Sequence, residues 1–287
     1  MSRHSEARGG LLLISPTAVF ALLLLAAPMA ALFLHSLASG GPRGFEAGFT
    51  FRNYADTLTD PIYRAIMLRT LIVSITVTIA TVIVAYPIAY FVSFYVREPK
   101  KSLWLFLITI PFWTSYIIRV FLWKVILGYG GIISSTLDTI GVTSGPMSFM
   151  TNATAAMIVT LAHAYAPFAI LPIFVALERI DRSLLEAGQD LGETYWGTFR
   201  RVTLPLSMPG VAAAVLIVFI PTVGDYVTPD LIGSGKSPMI ANLVEVQLLK
   251  LNNRASGSAM AVVAMAVVSL AGLLFLFLNR RFLRRVP

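Results

Sequence analysis

Apolar residues gather into six long runs, at about 11–34, 70–95, 103–127, 153–177, 206–223 and 258–278, divided by polar segments. A helix needs ~20 mostly apolar residues to cross a bilayer, and each run meets or approaches that length. Val, Ile and Thr are frequent in them. A membrane strand takes only about ten residues, however, so the runs predict helices rather than a barrel. The first run follows Arg3 and Arg8 in the manner of a signal peptide. Its apolar core exceeds the usual ~7–15 residues, which favours a retained first helix. The pattern predicts an all-α integral membrane protein of six transmembrane helices, one transmembrane domain over residues 1–287.

The polar segments orient these helices. Thirteen of the 22 Lys and Arg lie on one side: near the N-terminus, at Arg97, Lys100 and Lys101, at Arg179, Arg182, Arg200 and Arg201, and at Arg280, Arg281, Arg284 and Arg285. Seven lie on the other side, while the acidic residues divide evenly. The positive-inside rule then puts both termini in the cytoplasm. Arg119 and Lys124 fall inside the third run. A cation at mid-bilayer costs at least ~2.5–3.5 kcal/mol, so that run is expected to end near Ile118, with both side chains reaching outward. Pro111 and the Phe-Trp-Thr-Ser-Tyr cluster at 112–116 predict a break near the outer interface.

Composition narrows the class. The 287 residues are 57% hydrophobic and 13% charged, about half the charge of a soluble domain, which excludes both a soluble globule and a disordered chain. A net charge of +8 suggests nucleic-acid binding only where the basic residues share one solvated face. Here they punctuate apolar runs. There is no cysteine, and His4, His35 and His163 lack ligand spacing, so neither a disulfide nor a metal site is expected. No paired acids or nucleophile–base set fall in one region, and an enzyme is not expected.

Residues 233–237, Gly-Ser-Gly-Lys-Ser, imitate the end of a phosphate-binding loop. That motif needs a first glycine where Asp230 stands, a strand before it and a helix after it. Pro238 follows at once, and the segment reads as a turn.

The loop after the fourth run carries more. It reads Glu186-Ala187-Gly188, three residues, Gly192, nine residues, then Val202-Thr203-Leu204-Pro205. Leu184, Leu185, Gly188 and Leu191 recur at the helical period. Gly192 suits a helix stop, and Tyr195, Trp196 and Phe199 give a second short helix an aromatic face. Pro205 suits the start of the next span. Such a pair, apolar on one side, fits a groove on a partner.

This segment resembles the EAA signature of ABC-importer permeases, with Gly188 for the second Ala and Val202 for Ile. Ile110-Pro111-Phe112-Trp113-Thr114-Ser115 with Ile118-Arg119, and Gly224-Asp225-Tyr226-Val227-Thr228-Pro229-Asp230, resemble the spermidine/putrescine-type branch. The likeness covers nearly the whole chain.

The resemblance implies a type I ABC-importer permease arrangement in the bacterial inner membrane. It further implies a second permease subunit (a different chain), two ATPase subunits holding ATP and Mg, and a periplasmic solute-binding protein. This chain itself is expected to bind no cofactor. Glu186, Ala187, Gly188, Asp190, Leu191 and Gly192 become the ATPase-coupling positions. For a polycation, carboxylates and aromatic faces should line the path. Trp113, Tyr116, Asp225, Tyr226 and Asp230 are the candidates, with both acids equally readable as turn residues around Pro229. His163 and Tyr165 either line the passage or are buried structural groups, and Glu245 is expected on an outer loop helix. Another small solute (opine, amino-acid-like, thiamine or iron-type) or a self-sufficient secondary transporter is the alternative.

Overall fold

A computed structural model of the chain describes residues 3–40, 44–128, 130–142, 152–233, 235 and 237–283. Ser234 and Lys236 of the loop lookalike, and Arg284 and Arg285 of the basic tail, lie outside the described residues. The chain forms α1 (Arg3–Ser36), a hairpin of β1 (Ala38–Gly40) and β2 (Gly44–Phe49), α2 (Arg52–Thr59), α3 (Pro61–Phe94), α4 (Glu98–Thr109), α5 (Tyr116–Leu127) and α6 (Ile132–Thr139). It continues through α7 (Ala153–Glu178), α8 (Arg182–Asp190), α9 (Tyr195–Thr198), α10 (Leu204–Val223), α11 (Val227–Leu231), α12 (Ile240–Glu245) and α13 (Arg254–Leu283). Among the described residues, six segments are long and apolar enough to cross a membrane: Ser15–Ser36, Pro61–Phe94, Tyr116–Thr139, Ala153–Glu178, Tyr195–Val223 and Arg254–Phe282.

The third apolar run breaks at Pro111, as the cluster at 112–116 predicts, but its bounds differ from 103–127. Residues 103–127 do not form one helix. A 3-10 turn at Ile110–Trp113 and extended Thr114 and Ser115 divide them into the end of α4 and the whole of α5. Pro111 has no N–H to continue the ladder, and Thr114 Oγ1 donates to Pro111 O at 2.7 Å. The long apolar segment is Tyr116–Thr139 instead.

Two compact units divide the chain. One takes residues within 1–64 and 243–266, the other those within 65–242 and 267–287. In the first, Asn53 Nδ2 donates to the carbonyls of Ser36 and Ala38, both at 2.9 Å, tying α2 to the end of α1 and to the antiparallel hairpin. Asp60 Oδ1 accepts from the N–H of Ile62 at 2.7 Å and starts α3. Tyr63 hydroxyl donates to Met260 O at 3.1 Å.

The second unit is built on α3, α7 and α10. Val77, Ala85, Ala89 and Val92 of α3 are fully buried against a core that includes Leu161, Ala169 and Ile173 of α7 and Ala214 and Val218 of α10. Ile72, Ile75, Ile79 and Ile83, on the other side of α3, are exposed and suited to lipid. Between helices in a bilayer, close packing replaces hydrophobic drive, which explains the alanines. Three threonine hydroxyls inside the unit bond back to their own helix. Thr78 donates to Ser74 O, Thr81 to Val77 O and Thr222 to Val218 O, each at 2.7 Å, so no hydroxyl proton of these three faces hydrocarbon.

Candidate functional site

The loop between α7 and α10 folds as the sequence pattern predicts. Asp181 caps α8, its Oδ1 accepting from Ser183 N–H at 2.9 Å. That hydrogen bond holds the Asp181 carboxyl below the usual range. At the other end Gly192 takes a φ of +85°. Its N–H donates to Gln189 O at 2.8 Å, and Glu193 N–H donates to Gly188 O at 3.1 Å. Those two bonds are the Schellman stop, and they need a residue at ease in the left-handed region. Thr194 Oγ1 then accepts from Gly197 N–H at 3.1 Å and starts α9.

Gly188 is where α8 meets α9. A Cβ there would lie 3.3 Å from Thr198 Oγ1 and 3.4 Å from its Cγ2. Alanine, the usual residue of the EAA signature, needs Thr198 to give only by tenths of an ångström. Glu193 and Arg201 form an ion pair across the same turn. The apex is apolar yet open: Leu191 is 87% exposed, Tyr195 81% and Trp196 69%. Trp196 stacks on Phe199 with centroids 5.1 Å apart. Phe199 meets Tyr86 and Tyr90 of α3 edge-on, at 5.7 and 5.9 Å. Leu185 packs against the core, whereas Leu184 is exposed. Glu186, Ala187 and Asp190 complete α8 with these residues.

At the root of the loop lies a polar cluster that sequence reasoning missed. Lys101 of α4, only 5% exposed, donates to both oxygens of Glu178, the last residue of α7, at 2.8 and 2.9 Å. It also donates to Glu98 at 2.7 Å. Ser93 Oγ donates to Glu178 Oε1 at 2.6 Å. Burial would lower the Lys101 pKa, but hydrogen bonds to Glu178 and Glu98 outweigh it and leave it raised. The Lys101 hydrogen bond and charge hold Glu98 low. Residues 77 apart in sequence leave no local signal of this pairing.

The proposed pathway residues fall into three settings. Tyr116 donates to Asp225 Oδ2 at 2.8 Å and contacts Thr228 Oγ1 at 2.8 Å. Asp225, 7% exposed, also accepts from the N–H groups of Val227 and Thr228 at 3.0 and 3.3 Å, at the start of α11. Asn242 Nδ2 donates to Tyr226 O at 2.8 Å and to Asp230 Oδ1 at 3.2 Å, joining that pair. Trp113 stands apart, exposed, edge-on to Phe106.

Arg119 does not simply reach outward. Its guanidinium lies 5.3 Å from the Phe112 centroid and 5.9 Å from that of Tyr116, with Nε buried and unbonded. His163 Nδ1 accepts from Trp123 Nε1 at 3.1 Å, and Tyr165 lies 6.5 Å from Tyr116 between ring centroids. Lys124 is exposed on α5, and Glu245 ends α12 in partial exposure, 3.4 Å from Lys250.

Comparison with known proteins matches this architecture to one family. The family model described as the binding-protein-dependent transport system inner membrane component matches residues 44–286. The chain is 32% identical to the spermidine/putrescine transport system permease protein PotB of Haemophilus influenzae, over 87% of this chain and 86% of that protein. It is 33% identical to PotB of Escherichia coli K12, over 83% of this chain and 86% of that protein. The fold is shared with a chain of a crystallised bacterial alginate ABC transporter complexed with its alginate-bound periplasmic protein. There the TM-score is 0.73 at 19% identity, covering 98% of this chain and 97% of that one. The chain belongs to the binding-protein-dependent transport system inner membrane component family, and is a multi-pass inner-membrane permease of the ABC-importer class.

Proposed function

We propose that this permease carries a small organic cation, a polyamine of the putrescine or spermidine type, and is driven by separate ATPase subunits docked on α8. Relatives named as spermidine/putrescine permeases, aligned over more than four-fifths of the chain, support the substrate. The observation that carries the coupling role is the apex. Leu191, Tyr195 and Trp196 leave an apolar surface outside the candidate spans or at the edge of one. Exposed aromatic and aliphatic anchors on a capped helix fit a groove in a partner. On this reading Glu186, Ala187, Gly188, Asp190, Leu191 and Gly192 form the ATPase-coupling helix, and both termini share its cytoplasmic side.

ATP and Mg belong to the two ATPase subunits; a second permease, a different chain, completes the pore, and a periplasmic binding protein delivers solute. ATP binding closes the ATPase pair, and the coupling helices rock the single domain of each permease between inward-open and outward-open states. Tyr116, Asp225, Tyr226, Asp230 and Trp113 line the path, with Asp225 acting through Tyr116 because its own oxygens already accept three hydrogen bonds.

The test uses the assembled transporter in proteoliposomes. Gly188→Ala should keep uptake per ATP within about twofold, because Thr198 yields the small distance required. Gly188→Leu should separate α8 from α9 and uncouple hydrolysis from uptake, with the membrane helices intact by thermal melt. Gly192→Val should uncouple as well, since a β-branched residue is strained at a φ of +85°. Uptake that proceeds without ATPase subunits, or wild-type coupling in both bulky variants, would refute the reading.

A further inference from the structure

Ser93 is 1% exposed and sits one residue before the end of α3. Glu178 takes its hydroxyl proton from the end of α7, and Arg182 Nη2, on the first residue of α8, reaches its carbonyl at 3.5 Å. Lys101 joins the same Glu178 to α4 through both carboxylate oxygens and donates its third N–H to Glu98. Every ammonium proton therefore has an acceptor. Four helices, α3, α4, α7 and α8, meet at one partly exposed carboxylate and one buried serine. The other exit from α8 runs through Gly188 and Thr198 into α9 and α10.

We propose that Glu178 is a positioning residue which fixes the coupling helix to α3 and α4, so that a displacement of α8 moves these helices together with α7 and α10. This rests on α8 being the coupling helix. With Lys101 buried and Glu178 partly exposed, the ion pair is a poor device for stability alone, because an apolar pair of similar volume often holds helices as well. What the ion pair adds is direction. Oε1 accepts from both the Ser93 hydroxyl and the Lys101 ammonium, and Oε2 from the ammonium as well, so one carboxylate is held from α3 and α4 at once. The linker between Glu178 and Arg182 is three residues long, so both ends of that linker are held on Ser93. Rigid connection over a short path is what a mechanical input requires.

Assembled transporters carrying Glu178→Gln, Ser93→Ala, or Lys101→Met with Glu178→Met separate positioning from plain stability. Glu178→Gln should lower uptake per ATP about tenfold while ATPase subunits still bind and hydrolyse. Ser93→Ala should lower it about threefold. The double methionine variant should recover the wild-type melting temperature yet stay as uncoupled as Glu178→Gln. Wild-type uptake per ATP in Glu178→Gln and Ser93→Ala, or recovery of coupling by the methionine pair, would overturn the proposal. If the wild-type complex itself takes up solute without hydrolysis, it is the coupling role of α8 that fails. A coupled wild type with coupled variants fails the positioning role alone.

Discussion

A Gly210→Leu chain should not accumulate as folded protein in the membrane, and Gly210→Ala should already lower the melting temperature in detergent. Gly210 lies where α10 crosses α7. A Cβ at this position would come within 2.5 Å of both Ala176 Cβ and the Pro172 carbonyl oxygen, and 3.2 Å of Ile173 Cα. Two of these three atoms are backbone, so no rotamer change makes room. Overpacking typically costs ~1–3 kcal/mol, and a ~2–3 kcal/mol loss lowers Tm by roughly 5–10 °C in a chain of this size. Leucine adds three carbons to the same clash. The control is Gly272→Ala on α13, whose Cβ would meet only Leu216 Cδ2 at an ordinary 3.6 Å. Its Tm should not fall. Adding Ala176→Gly to Gly210→Ala removes one of the two closest contacts and should return part of the loss, not all of it. A Gly210→Leu protein with wild-type Tm would mean that α7 and α10 do not cross as closely as described.

That crossing was only half legible in the sequence. The run Ala212-Ala213-Ala214 permits close approach in general, but nothing local names Gly210 and Ala176 as the point of contact. The same limit explains most of what sequence reading missed. Elements set by local chemistry were readable. Gly192 stops α8 with a positive φ, Pro205 lies at the start of α10, and Pro111 breaks the third apolar run. The run itself misled, because hydropathy counts apolar residues without regard to a turn within them. Residues 103–127 are divided at 110–115, and the segment long and apolar enough to cross a membrane is Tyr116–Thr139, made of α5 and α6.

Charges followed the opposite rule. Lys101 read as one of thirteen topological cations, yet it is buried on Glu178, 77 residues away in the chain. Asp225 read as a possible ligand for a substrate cation. Its carboxylate accepts from Tyr116 and two backbone N–H groups, as the turn reading also allowed. An Asp two residues before a helical turn is also the signature of a cap, and period and composition do not separate the two roles. For the loop between α7 and α10 the sequence carried the helix–turn–helix layout, since the glycine stop and the aromatic spacing act within a few residues of Gly192.

Leu191→Glu combined with Trp196→Ala should weaken association with the ATPase subunits about a hundredfold or more while leaving the permease as stable as the wild type. Both side chains are mostly exposed, at 87% and 69%, so few intramolecular contacts are lost. Trp196 gives up its stacking on Phe199, but Phe199 keeps its edge contacts with Tyr86 and Tyr90. Burying a leucine in a partner contributes ~1.5–3 kcal/mol, and a tryptophan anchor at the centre of an interface ~2 kcal/mol or more. A combined loss of ~3–5 kcal/mol weakens association by roughly 10²- to 10³-fold or more. The glutamate adds the cost of placing a charge in an apolar groove. Co-purification in mild detergent and titration with isolated ATPase subunit read this directly, and a thermal melt of the permease checks that the fold survives. Tyr195→Ala alone, at the rim of the same apex, should cost less, about tenfold. If the double variant still binds ATPase subunits as the wild type does, the apolar apex is not the docking surface, whatever the rest of α8 contributes.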